Sequence, residues 1–190
     1  MKSVGWRLSW AAAIAVAAAA CRQGGLARAE SRLEVQWTGA DTSRFSASAT
    51  ADWCDSLNLL EILAVAGDTG IGIALYPRDS LASGLYPIQP PDAADSVPPS
   101  AAIGLRWFSE TSVQGYQADS GQVSMTRTAG GALSGRFTAT ARAITGKGRL
   151  RLTGSFEDLR QRPATRGCST ARTPQTPPRG ESSEPEEGVD

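Results

Sequence analysis

A chain of 190 residues with 41% hydrophobic and 20% charged residues has the composition of a folded protein and room for one core. It contains no histidine, which removes hydrolases with an imidazole base and ordinary zinc enzymes from the expected chemistry. The formal charge of zero hides a division: residues 30–119 hold four basic against twelve acidic residues, and residues 120–170 hold nine basic against two.

Met1 to Cys21 has the three parts of an export signal: Lys2 and Arg7, an apolar run from Ala11 to Ala20, and a small-residue cleavage zone. The run is about half the roughly 20 residues a bilayer span needs, so residues 1–20 are expected to be a cleaved signal peptide. Ala18-Ala19-Ala20-Cys21 resembles the bacterial lipobox, although Ala18 stands where that pattern favours leucine. The resemblance implies acylation of Cys21, a membrane as partner and a place in the bacterial cell envelope. Ala27-Arg28-Ala29 offers an alternative site, which would release a soluble secreted protein.

Export places the thiols in an oxidising compartment. With Cys21 acylated, Cys54 and Cys168 are left to each other, and a disulfide between them is expected. Residues 21–32 read as a polar tether, residues 33–168 as one β-domain, and residues 169–190 as a disordered acidic tail.

Within the domain, Leu33, Val35 and Trp37 alternate with polar residues, as do Phe45, Ala47, Ala49, Ala51 and Trp53. Leu57 to Ala66 fits either a helix opened by Ser56 or a buried strand. The strand is preferred, because Gly67-Asp68-Thr69-Gly70 is turn chemistry and Ile71 to Tyr76 is plainly β. Gly84 to Ile88 is a short strand that Pro87 confines to an edge or an end, and the proline-rich stretch from Gln89 to Ser100 is a loop. Ala101 to Phe108 and Val113 to Ala118 follow as strands. Val123 and Met125 mark the next strand, Leu133 to Ala141 another and Leu150 to Phe156 the last, with turns at Gly130-Gly131 and Gly146-Lys147-Gly148. The expected fold is all-β, an antiparallel sandwich or barrel of about nine to ten short strands.

Gly84-Leu85-Tyr86-Pro87, Ser120-Gly121-Gln122-Val123, Leu133-Ser134-Gly135-Arg136-Phe137 and Leu152-Thr153-Gly154-Ser155-Phe156 resemble uncharacterised bacterial lipoproteins and secreted small β-domains with repeated strand starts of this form. The resemblance implies fold and compartment, and carries over no catalytic residue.

The motifs of catalysis are sparse. Gly67, Gly70 and Gly72 lie between two strands instead of opening a helix, which argues against nucleotide binding. No Gly-x-Ser-x-Gly elbow occurs. Asp52, Asp55, Glu61, Glu157 and Asp158 could supply paired carboxylates for a β-fold hydrolase, and Asp92 with Asp95 could offer oxygens to calcium. Both patterns fit ordinary surface acids, so no cofactor, metal or enzymatic activity is expected. Trp37, Trp53 and Trp107 are in phase with core aliphatics; Tyr76, Tyr86 and Tyr116 are less clearly so.

The sharpest lead is the C-terminal hairpin, where Arg136, Thr138, Thr140 and Arg142 share an outward face with Arg149, Arg151 and Thr153. Like charges opposite one another cost about 0.2 to 1 kcal/mol per pair unless something answers them. Either acidic strands of the N-terminal half lie alongside, or Arg136, Arg142, Arg149 and Arg151 meet an anionic envelope component such as lipopolysaccharide phosphate. The overall expectation is a non-enzymatic binding or structural module of the envelope, with a lipid or polyanion carrier and a carboxylate-dependent β-fold hydrolase as the alternatives and no nucleic-acid partner.

Overall fold

The computed structural model describes residues 31–90, 97–109 and 111–163. Cys21, the alternative cleavage site at Ala29, Asp92, Asp95, Cys168 and the acidic tail lie outside the described residues. The fold is all-β, with nine strands among the described residues: β1 (Arg32–Gly39), β2 (Ser43–Cys54), β3 (Leu59–Ala66), β4 (Thr69–Tyr76), β5 (Gly84–Ile88), β6 (Ser100–Phe108), β7 (Val113–Arg127), β8 (Ala132–Ala143) and β9 (Arg149–Pro163). The stretch that fitted helix or strand is β3, preceded by a single 3-10 turn at Asp55–Leu57 that ends on Asn58 in the left-handed region (φ 47°).

These strands close into a barrel in the order β1-β2-β3-β4-β6-β5-β7-β8-β9, with β9 antiparallel to β1. Two strands are inserted over only part of the barrel height. Beyond the start of β1, β2 pairs directly with β9 in parallel (Ala51↔Gln161, Trp53↔Pro163). Likewise β5 pairs with one half of β7 and touches β6 only at Ile88↔Ala101, while β6 and the other half of β7 pair directly. Pro87 lies on this short strand, opposite Gln122 of β7 and with only one residue pair to β6, a place where a strand tolerates a residue without an N–H.

Two expected strands are one. Val113 to Arg127 runs unbroken as β7, with a bulge at the register shift between Ala118 and Ser120. Gly121 has φ 126°, and a Cβ there would sit 2.1 Å from the Thr138 carbonyl oxygen. A bulge of this kind bends a long strand around a closing barrel without ending it.

The two-residue period of each strand sends one set of side chains inward. Leu33, Val35 and Trp37 of β1 are buried while Arg32, Glu34 and Gln36 face out, and the other strands repeat the pattern. A barrel of about eight strands has an interior just wide enough for side chains to fill. Here Phe137, Phe156, Met125, Leu60, Ile73 and Leu105 are among the fully buried members of one continuous core. Trp53 and Trp107 are half-buried against it.

The repeated Gly-x-Phe segments have a packing cause. Phe137 of β8 pairs with Gly154 of β9, and Gly135 of β8 pairs with Phe156 of β9. Each ring lies over the other strand's glycine: a Cβ on Gly135 would come within 2.3 Å of the Phe156 ring, and one on Gly154 within 2.4 Å of the Phe137 ring. The motif is therefore a reciprocal cover of glycine by phenylalanine, and its role is structural.

At the end carrying the β1–β2, β3–β4, β6–β7 and β8–β9 turns, three rings stack across the barrel. Trp37 lies 5.6 Å from Trp107 and Trp107 5.3 Å from Tyr116, with interplanar angles of 16° and 13°. Tyr116 in turn sits where a side chain on Gly148 would have to be. Rings from β1, β6 and β7 thus plug this mouth.

Near the other end Tyr86 is buried, with its hydroxyl donating to the Ala82 carbonyl at 2.8 Å. Burial pushes its pKa above the ordinary value. A raised folded-state pKa favours the neutral phenol, so stability is intact below the unfolded value of about 10 and falls as pH rises beyond it. The urea midpoint is expected to drop between pH 9 and pH 11 more steeply in the wild type than in Tyr86→Phe. Equal drops would contradict this assignment.

Candidate functional site

With the interior filled, the chemistry of this barrel lies on its outer face. The four arginines expected to share one face do project outward, in two groups. Arg142 of β8 is directly opposite Arg149 of β9, and Arg151 faces Thr140. Arg136 is two rows further along, opposite Ser155.

Part of this charge is answered within the fold. Asp119, in the β7 bulge, places a carboxylate oxygen 3.6 Å from Arg149. Asp52 of β2 is held by Arg162 of β9 at 2.8 Å, where the parallel β2–β9 pairing puts Asp52 opposite Arg162. Asp119 and Asp52, acids of the N-terminal half, thus meet arginines of the C-terminal half.

Arg136 belongs instead to a groove of about 720 Å³ across β8, β9, β1 and β2. Register builds it row by row. One row reads Arg136, Ser155, Glu34, Ser46 across the four strands, and the next reads Thr138, Thr153, Gln36, Arg44. Arg32 stands one row before Glu34 on β1. Its Nε donates to Glu34 Oε1 at 2.9 Å and to Ser46 Oγ at 2.8 Å, while the Ser46 hydroxyl donates to the same carboxylate oxygen at 3.2 Å. Glu34 thus sits in mid-floor as the partner of Arg32, with both side chains more than half exposed. Val35, Phe45 and Gly154, whose Cβ direction points inward, also border the groove.

Arg44 and Arg136 flank this floor. Both are exposed, and neither has an ion pair or side-chain hydrogen bond among the described residues. Sequence reading missed Arg32 and Arg44 because about a hundred residues separate them from Arg136. The signal that could have found them is their outward phase on strands whose inward residues were already assigned.

No protein-family model, curated protein or solved structure matches this chain. The site is argued from its own geometry.

The carboxylates considered for hydrolysis are scattered. Asp52 and Glu61 are cross-strand neighbours on β2 and β3, but Asp52 is engaged by Arg162. Asp55 accepts the Trp53 indole N–H in the turn after β2. Asp158 takes a left-handed conformation (φ 51°) in β9, where its backbone N–H and C=O bond to Ser134 and Ser31. Glu157 lies opposite Arg32, which separates it from Glu34 in a depression of about 100 Å³. Of the tyrosines, Tyr86 and Tyr116 are core residues and Tyr76 is half-buried.

Proposed function

We propose that this chain is an exported, lipid-anchored protein of the bacterial cell envelope whose barrel is a non-enzymatic binding module acting through its outer surface. The observation that carries the reading is the pairing of a filled, ring-plugged interior with an open, arginine-flanked groove on the outside. A carrier that hides a lipid inside its barrel needs an interior its own side chains leave vacant. Residues 1–21, with their charged, apolar and small-residue parts and the lipobox-like Cys21, supply the export and anchoring half of the proposal.

The covalent frame of the same reading is a disulfide between Cys54 and Cys168. Cys54 is buried at the end of β2, with its sulfur 3.4 Å from the Ser56 hydroxyl. The parallel pairing of Trp53 with Pro163 brings the end of β9 beside that strand end, and Cys168 follows Pro163 by five residues in sequence. Such a segment is long enough to turn back to the roughly 5.5 Å Cα separation a disulfide requires.

Anchoring is tested by growing cells with a radiolabelled fatty acid and comparing wild type with Cys21→Ser. Label is expected on the wild type alone, with the variant shifting from the membrane to the soluble envelope fraction. Equal labelling, or none on either protein, would contradict lipid attachment at Cys21.

A further inference from the structure

We propose, building on the outer-surface reading above, that the groove between Arg44 and Arg136 is a binding site for a short acidic glycan, one whose anionic groups are set apart with uncharged, hydroxyl-bearing sugar between them. Arg136 and Arg44 are separated by three strand spacings and one row, a span of about 16 Å along the sheet. That is long enough for an oligosaccharide and too long for one small anion to bridge. Each guanidinium is a five-donor fork suited to carboxylate or phosphate, and neither is engaged by a side chain among the described residues.

What lies between them selects the ligand. Ser46, Gln36, Thr153 and Ser155 offer hydroxyl and amide groups that both donate and accept. At the centre, Arg32 and Ser46 hold the Glu34 carboxylate in place. Paired with the Arg32 guanidinium, this carboxylate still accepts hydrogen bonds from hydroxyls, and the neutral pair leaves no unengaged cation in mid-floor for an anion. A chain charged at every unit, such as polyphosphate or a nucleic-acid backbone, would set its middle charges over this neutral pair, where no cation is free to answer them. Nucleic acid would also lack a stacking platform, because the groove's one aromatic, Phe45, is buried toward the core. An acidic sugar chain meets every group present: anions at both ends, hydroxyls over Glu34.

The shared chemistry has two sources, a uronate polysaccharide or the phosphorylated sugar headgroup of a lipid. Calorimetric titration of the full chain with a soluble tetra-uronate tests the first, and cosedimentation with vesicles bearing a bisphosphorylated disaccharide lipid tests the second. The arm that binds identifies the source. In that arm, Arg44→Gln and Arg136→Gln are each expected to weaken binding about tenfold or more, and added salt to weaken it further. Arg151→Gln, outside the groove, is expected to weaken it less than threefold. Glu34→Gln is expected to weaken glycan binding while strengthening binding of polyphosphate. Binding of neither glycan, polyphosphate binding as tightly as the better glycan, or wild-type affinity in both groove variants would each overturn the proposal. Failure here leaves anchoring intact, since fatty-acid labelling of Cys21 is read independently; loss of anchoring leaves the titrations equally readable.

Discussion

Gly154→Ala is expected to destabilise the fold by about 3 kcal/mol, although glycine to alanine in an ordinary strand is neutral or favourable by about 0.4 to 1 kcal/mol. A Cβ at this position would meet the Glu34 carbonyl oxygen at 2.3 Å and the Phe137 ring at 2.4 Å. Neither neighbour can yield cheaply, because one is backbone in the β1–β9 ladder and the other is a fully enclosed core ring. Gly135→Ala meets the same obstruction from the Phe156 ring at 2.3 Å and the Ser124 carbonyl at 2.6 Å. The internal comparison is Gly72→Ala on β4, where no atom lies within 4 Å of the added carbon and the backbone is ordinary. Removing a ring instead of adding a methyl, as in Phe137→Ala, is expected to cost about 3 to 5 kcal/mol. Urea unfolding of the series checks the ranking. Gly154→Ala no less stable than Gly72→Ala would contradict the interlocked packing.

Loss of the proposed disulfide has the other large expected effect. Cys54→Ser, Cys168→Ser and reduction of the wild type are each expected to remove about 4 to 5 kcal/mol in the chain-entropy model, since the bridge would close a loop of more than a hundred residues. The three conditions should coincide, because each opens the same loop. The double variant should lose no more than either single one. Mass mapping without reduction is expected to recover the peptides of Cys54 and Cys168 joined. Free thiols on both, or a wild type indifferent to reductant, would contradict the bridge and leave Cys54 as a buried small hydrophobe at the end of β2.

Much of the fold was legible because the period of two reports which face of a strand is buried. Leu33, Val35 and Trp37, or Ile103, Leu105 and Trp107, identify the core side without knowledge of any partner strand. Barrel against sandwich was not legible, because closure rests on β1 meeting β9 across more than a hundred residues of sequence, and no local pattern encodes that pairing. The strand β7 reads as two for a related reason: its inward phase shifts between Ala118 and Val123, and a bulge breaks the two-residue period just as a turn does. The division of charge along the chain pointed to internal neutralisation or to a basic face. Asp119 beside Arg149 and Asp52 beside Arg162 exemplify the first, while Arg44 and Arg136 present the second where register brings distant strands together. The groove itself was out of reach, since its four strands come from both ends of the domain.

The central claim is that this barrel binds with its outside. Site-specific photocrosslinking in intact cells tests it most directly, with the photoreactive side chain placed in turn at Thr153 in the groove floor and at Ala102, which faces outward on β6. The account predicts a carbohydrate-bearing adduct from Thr153 that Arg44→Gln abolishes, and none from Ala102. No adduct from Thr153, or an adduct from Ala102 alone, would contradict it.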